Sequence, residues 1–159
     1  MAEDALLRAR TVEAGDIWAC AEIFLDARRR AKPHVPADRF AFEDFSLATA
    51  DLDLIVAERG GDIVGFAGFD PPANEIDLLF VAPAAQGRGV GALLLAEATR
   101  RLRPGAHLRC EASNGAVRAF YRAQGWVELG ESWGEVEFIR PNPSLLPFRA
   151  ILAAPLLVR

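Results

Sequence analysis

The sequence predicts an α/β chain on an α+β mixed sheet, about seven mostly antiparallel strands with a central parallel pair, flanked by four helices. Three observations predict it. Residues 54–82 read as an antiparallel meander with glycine and proline turns. An apolar run ending at Val81 then meets a Pro-Ala-Ala break, a glycine loop and an Ala/Leu-rich helix. A further strand follows that helix, and strand, helix, strand makes a βαβ unit with parallel strands.

Each element follows from its residues. Residues 6–10 form a short strand candidate. Over 14–30 the pattern is helical, with Ile17, Ala21, Phe24 and Arg28 on one stripe and Trp18 and Leu25 beside it. Asp16 suits the positive end of that helix dipole, and Arg28, Arg29 and Arg30 suit the negative end. Pro33 and Pro36 stop it. A second helix is predicted over 38–49, with Phe40, Phe42 and Phe45 as core or as a wall of a substrate pocket. Strands follow at 54–59, 63–69 and 75–82, the first two joined by Gly60-Gly61-Asp62. The glycine-loop helix is predicted over 86–103 and stops at Pro104-Gly105. A strand over 107–112 leads to Asn114, which caps a short helix over 116–124 with Gly125 past its end. Residues 126–132 read as a strand that 135–139 continues across Gly134, and 146–153 as the last strand.

Composition bounds the function. The chain has 159 residues, which suits one domain spanning 1–159 with a sizeable core. The net charge of −4 comes without a basic block, against a nucleic-acid partner. No apolar run reaches the length of a membrane span. Glu3 and Asp4 stand where a secretory leader carries Lys or Arg, so a cytoplasmic location is expected. Cys20, Cys110, His34 and His107 are scattered, which predicts neither a metal site nor a disulfide.

The loop Gln86-Gly87-Arg88-Gly89-Val90-Gly91-Ala92 reads as an anion site. The first turn of a helix leaves N–H groups without intrahelical partners, the dipole adds positive charge, and glycines let phosphates approach the backbone. The stretch from Gly87 to Ala92 also fits G-x-G-x-x-G/A, and Glu111 lies about 20 residues on, as in NAD-type dinucleotide sites. Three features argue against that reading. Pro83 to Gln86 separate the strand from the first glycine, the preceding strands form a hairpin, and too few residues follow Glu111 for a doubly wound sheet.

Leu78 to Val81 with Pro83, Gln86/Gly89/Gly91, Asn114, Tyr121 and Gly125-Trp126 together resemble the GNAT superfamily of acyl-CoA-dependent N-acetyltransferases. The family pattern is Q/R-x-x-G-x-G/A, then an Asn, a Tyr and a Gly-aromatic pair, and the element order is similar from end to end. Trp126 stands where Phe is commoner. The resemblance implies a single N-acetyltransferase domain with acetyl-CoA as acyl donor. It implies parallel strands at 75–82 and 107–112 that splay apart, the pantetheine arm pairing with the backbone of Phe80, Val81 and Ala82. The pyrophosphate would meet Gln86, Gly87, Arg88, Gly89, Val90, Gly91 and Ala92, and Asn114 and Tyr121 would complete the cofactor contacts.

The implied reaction is direct attack of an amine on the thioester. Val81 N–H is the expected oxyanion donor and Tyr121 the acid for the leaving thiolate. Glu75, Asp77 or Glu111 is the expected base, acting through a water. The acceptor is a small-molecule or peptide amine, set in this family by the segments here at 31–45 and 134–147. A homodimer is the common default. The alternative from another class is a non-catalytic acyl-CoA-binding module; retained Tyr121 and Asn114 favour catalysis.

Overall fold

The computed structural model describes residues 6–142. The chain falls into two compact units, Met1–Arg101 and Leu102–Arg159.

The first unit starts with β1 (Leu7–Thr11) and a 3₁₀ turn at Ala14–Asp16. It continues with α1 (Ile17–Ala31), a second 3₁₀ turn (Ala37–Arg39), α2 (Phe42–Thr49), β2 (Asp53–Arg59), β3 (Asp62–Asp70) and β4 (Glu75–Val81). A third 3₁₀ turn (Pro83–Ala85) leads to α3 (Val90–Arg100). The strands pair antiparallel in the order β1-β2-β3-β4, with Ala9 opposite Ala57, Ala57 opposite Gly65 and Phe66 opposite Phe80.

Two helix predictions move. The second helix starts at Phe42 and not Asp38, because Phe40 and Ala41 are extended and Asp44 accepts from Ala41 N–H at 3.0 Å. The glycine-loop helix starts at Val90 and not Gln86, because Gly87 and Gly89 hold φ of 73° and 83°, outside the right-handed helical region.

Burial explains the packing. Leu54, Ile55, Val56 and Ala57 are all buried, the mark of a strand covered on both faces. On one face, Phe24 and Phe45 pack with Phe66 and Phe80 in edge and stacked pairs with centroids 5.4–5.7 Å apart. Phe40 and Phe45 are therefore core residues, and half-buried Phe42 stacks on Trp18. On the other face α3 buries Val90, Leu94, Leu95 and Ala98. A Cβ on Gly65 would lie 2.8 Å from the Phe80 carbonyl oxygen and 3.1 Å from both Val90 and Leu94, so glycine lets α3 sit close to β3.

The partner of Gly68 is Leu78, whereas that of Phe69 is Ile76. Asp77 is thus the extra residue of a β-bulge in β4. Leu78 and Phe80 pack on the α1/α2 core; Ile76 is buried outside that cluster.

A polar clamp closes the start of α1. Arg10 gives two bonds to Asp16 (2.7 and 3.1 Å) and one to Glu58 (2.7 Å), while Asp16 also accepts from Glu13 N–H at 2.8 Å. The Arg10 guanidinium holds the Asp16 and Glu58 carboxyls below the usual range.

The second unit holds β5 (His107–Glu111), α4 (Gly115–Ala123), β6 (Val127–Ser132) and β7 (Glu135–Ile139). The strands pair antiparallel in the order β5-β7-β6. The expected continuation across Gly134 is instead a hairpin: Trp133 and Gly134 take φ of 55° and 78°, the geometry of a tight two-residue turn. Leu108, Tyr121, Trp126, Val136 and Phe138 are buried. The predicted strand at 146–153 lies outside the described residues.

Candidate active site

In the first unit the site is built where β4 runs into α3. Ala82 N–H donates to Val64 at 2.9 Å and Phe80 lies opposite Phe66. Antiparallel ladders alternate, so Phe80 and Ala82 turn their backbone groups toward β3 and Val81 turns its own away. The Phe80 ring is committed to the aromatic core. The side-chain amide of Gln86 donates to the Val81 carbonyl at 3.3 Å.

Gly89 is the N-cap of α3 and brings no side chain to its free N–H groups; its carbonyl accepts from Leu93 N–H at 3.0 Å. Added Cβ atoms at Gly87 and Gly89 would meet nothing within 4 Å. Backbone conformation, not crowding, demands glycine there, and the space above the helix start is open. Arg88 is exposed beside it, and Val90 is buried under it. Open space, donors and a positive dipole fit a pyrophosphate.

In the second unit Asn114 caps α4, its Oδ1 accepting from Val117 N–H at 3.1 Å. Tyr121 lies among Phe120, Trp126 and Phe138, with centroids 5.4–6.5 Å away. Burial, and secondarily Cys110, push its phenol up to about 12.

The expected carboxylates are placed differently. Glu75 opens β4 half-buried, Asp77 is exposed at the bulge, and exposed Glu111 ends β5 opposite Glu135. Burial pushes both cysteine thiols up, that of Cys20 to about 12, so neither favours the thiolate a nucleophile needs. Among the described residues no group of three or more His, Cys, Asp or Glu is placed to hold a metal ion, and no helix is long and apolar enough to cross a membrane.

Two surface grooves were not legible in the sequence. One of about 390 Å³ runs along the β6–β7 hairpin, lined by Leu129, Trp133, Glu131, Glu135, Glu137 and Arg109. The other, about 410 Å³, lies between α1 and the start of α2 beside Trp18 and Phe42. The aromatic residues at the second were visible; the acidic groove depended on a turn that the sequence did not reveal.

The mixed α/β elements are those of acyl-CoA-dependent acetyltransferases. The model of the acetyltransferase (GNAT) domain matches residues 37–142, and the chain belongs to that family. N-alpha-acetyltransferase RimI from Mycobacterium tuberculosis is 34% identical over 122 residues, 72% of this chain and 75% of the relative. PaiA N-acetyltransferase from Thermoplasma acidophilum, solved in complex with coenzyme A, shares the fold with a TM-score of 0.70 at 15% identity, over 86% of this chain and 99% of that one. Ribosomal-protein-alanine N-acetyltransferase from Brucella melitensis matches with a TM-score of 0.55 at 25% identity, over 82% and 95%. The fold is the mixed α/β fold of the superfamily, and the protein is an N-acetyltransferase that uses acetyl-CoA. Acetyl transfer, not acyl-CoA binding alone, is the activity the family carries.

Proposed function

We propose that this enzyme acetylates the α-amine of a polypeptide N-terminus by direct attack on acetyl-CoA. The observation that carries the donor half is the pair of left-handed glycines, Gly87 and Gly89, ahead of the uncapped start of α3. The likeness to an N-alpha-acetyltransferase and to a ribosomal-protein-alanine N-acetyltransferase supports the acceptor half. The acidic hairpin groove with Trp133 suits a cationic peptide end.

Acetyl-CoA supplies the activated thioester. N–H groups from Gly87 to Ala92 hold its pyrophosphate, with Gln86 and Arg88 at the rim. Asn114 offers its side-chain amide from the start of α4. Val81 donates its N–H to the thioester oxygen as charge collects there. Phe80 and Ala82 fix the Val81 peptide by their pairing with β3. Tyr121, which keeps its proton to about pH 12, gives it to the departing thiolate as the C–S bond breaks. Glu75 or Asp77 takes the proton from the amine through a water as the C–N bond forms; Glu111 is the third candidate. Glu75→Gln and Asp77→Asn separate the first two. Cys20 and Cys110 as free thiols suit the reducing cytoplasm, where we place the enzyme.

Calorimetric titration with acetyl-CoA, with NADH as control, tests the donor. Mass spectrometry of peptides with different N-termini tests the acceptor. Binding of acetyl-CoA alone and a gain of one acetyl group at the α-amine are expected. Absence of acetyl-CoA binding overturns the loop assignment; acetylation of lysine side chains only overturns the acceptor.

A further inference from the structure

The helix that carries Asn114 and Tyr121 has nine residues, Gly115–Ala123. A helix that short is marginal in water without outside support. Its apolar anchorage is narrow, because Tyr121 is its one buried residue. Its polar anchorage is larger. The Arg118 guanidinium forms a two-pronged pair with Glu128 of β6, Nε to Oε1 at 3.0 Å and Nη2 to Oε2 at 3.2 Å. Its Nη1 donates to the carbonyl of Ala112 at 2.8 Å. Arg122, one turn further along α4, pairs with the same Glu128. At the far end Arg140 donates to the carbonyl of Gln124, the last residue before Gly125. A Cβ at Gly125 would stand 2.8 Å from that guanidinium, so glycine leaves Arg140 its place.

Arg118 therefore joins three pieces of chain: the segment before Asn114, the helix itself, and the strand after it. Its three donors lie in one rigid plane, which fixes both the rotation of α4 and its position along its axis. Asn114 lies one turn before Arg118 and Tyr121 nearly one turn after it. We infer that Arg118 is a positioning residue for the acetyl transfer, setting the place of the Tyr121 hydroxyl and of the Asn114 amide by latching α4 to Ala112 and Glu128. The inference rests on the roles proposed above for Tyr121 and Asn114.

Tyr121 is the only tyrosine in the chain, so a ring-labelled sample of the full protein gives one tyrosine signal. Phe120 and Phe138 lie close enough to shift that signal with small movements. The experiment compares wild type, Arg118→Ala, Arg118→Lys, Tyr121→Phe and the double variant Arg118→Ala/Tyr121→Phe. The expected result for Arg118→Ala is a displaced tyrosine resonance, kcat about 10- to 100-fold lower and a several-fold higher KM for acetyl-CoA, since small misplacements cost that much. Arg118→Lys keeps the charge but not the fork and falls between. The double variant turns over no slower than Tyr121→Phe. Should Arg118→Ala not fold, Glu128→Gln releases the latch from the strand side, and the same displacement and loss are expected. An unmoved resonance with wild-type kcat in Arg118→Ala (or, if it does not fold, Glu128→Gln), while Tyr121→Phe is impaired, overturns the inference alone. Additive losses in the double variant overturn it as well. Wild-type turnover in Tyr121→Phe overturns the catalytic reading and this inference with it.

Discussion

Gln86 reaches back along its loop and donates its side-chain amide to the carbonyl of Val81, 3.3 Å away. The bond ties the first residue of the glycine loop to the last residue of β4. It occupies the carbonyl that Val81 turns away from β3 and leaves the loop's backbone N–H groups for a ligand. Gln86→Ala should therefore weaken acetyl-CoA binding several-fold while changing stability by less than about 1 kcal/mol, as fits one exposed hydrogen bond. Calorimetry and urea denaturation of the same sample check both parts. Equal effects on both would make Gln86 a folding residue.

Gly89→Val places a branched side chain at φ of 83°, which costs on the order of 1–2 kcal/mol. The new Cβ touches no protein atom within 4 Å. The variant should fold with a lowered melting temperature and bind no acetyl-CoA. Retained binding would place the phosphates elsewhere.

Tyr121→Phe should lower kcat by about 100-fold, the usual scale for loss of a general acid, with KM for acetyl-CoA little changed. The wild-type phenol, raised to about 12 by burial, is protonated across the whole assay range. Its loss of a proton should thus put no falling limb into the kcat profile below about pH 11. A limb centred near pH 10 that disappears in Tyr121→Phe would contradict the buried position.

Acid should loosen the first unit. Asp16, Glu58 and Glu97 have folded-state pKa values depressed by Arg10, Arg8, Arg100 and Arg101, Glu97 to about 2. A depressed carboxyl contributes stability above its unfolded pKa, about 4, and that contribution is lost as pH falls through the folded value. Urea midpoints should be level from about pH 5 to 7 and drop from pH 4 toward 2. Asp16→Asn should be less stable at pH 7, because the Arg10 guanidinium loses its charged acceptor, and show a shallower drop. A slope as steep as wild type would remove Asp16 from the acid response.

Local signals carried most of the element order into the structure. Asn114 as cap, Gly125 past the helix end and Gly60-Gly61 as a turn each act through their own backbone, so their neighbours do not have to be known. The loop motif was legible for the same reason. Trp133 at φ 55° was not, since a tryptophan in a left-handed turn carries none of the usual glycine or asparagine signal, and the hairpin at 127–139 was read as one strand. The Arg10–Glu58 pair joins residues 48 positions apart, and the Arg118 latch joins a helix to the strand that follows it. Such contacts depend on strand order and register, which hydrophobic periodicity does not encode. The aromatic segment 40–45 split as its chemistry allowed: Phe40 and Phe45 entered the core, while Phe42 stacked on exposed Trp18.

The extra residue at Asp77 couples the length of β4 to its two sides. Counted back in twos from Val81, a regular strand would set Leu79, Asp77 and Glu75 on one side. With the inserted residue the alternation resets between Leu78 and Ile76, and Glu75 is turned over relative to Val81. Removing Asp77 would delete one carboxylate and make the ladder to β3 regular, while Ile76 and Glu75 keep the sides they now have. A family member without the inserted residue has to be aligned with a one-residue gap at Asp77; without that gap, the columns before the bend compare residues on opposite sides of the sheet.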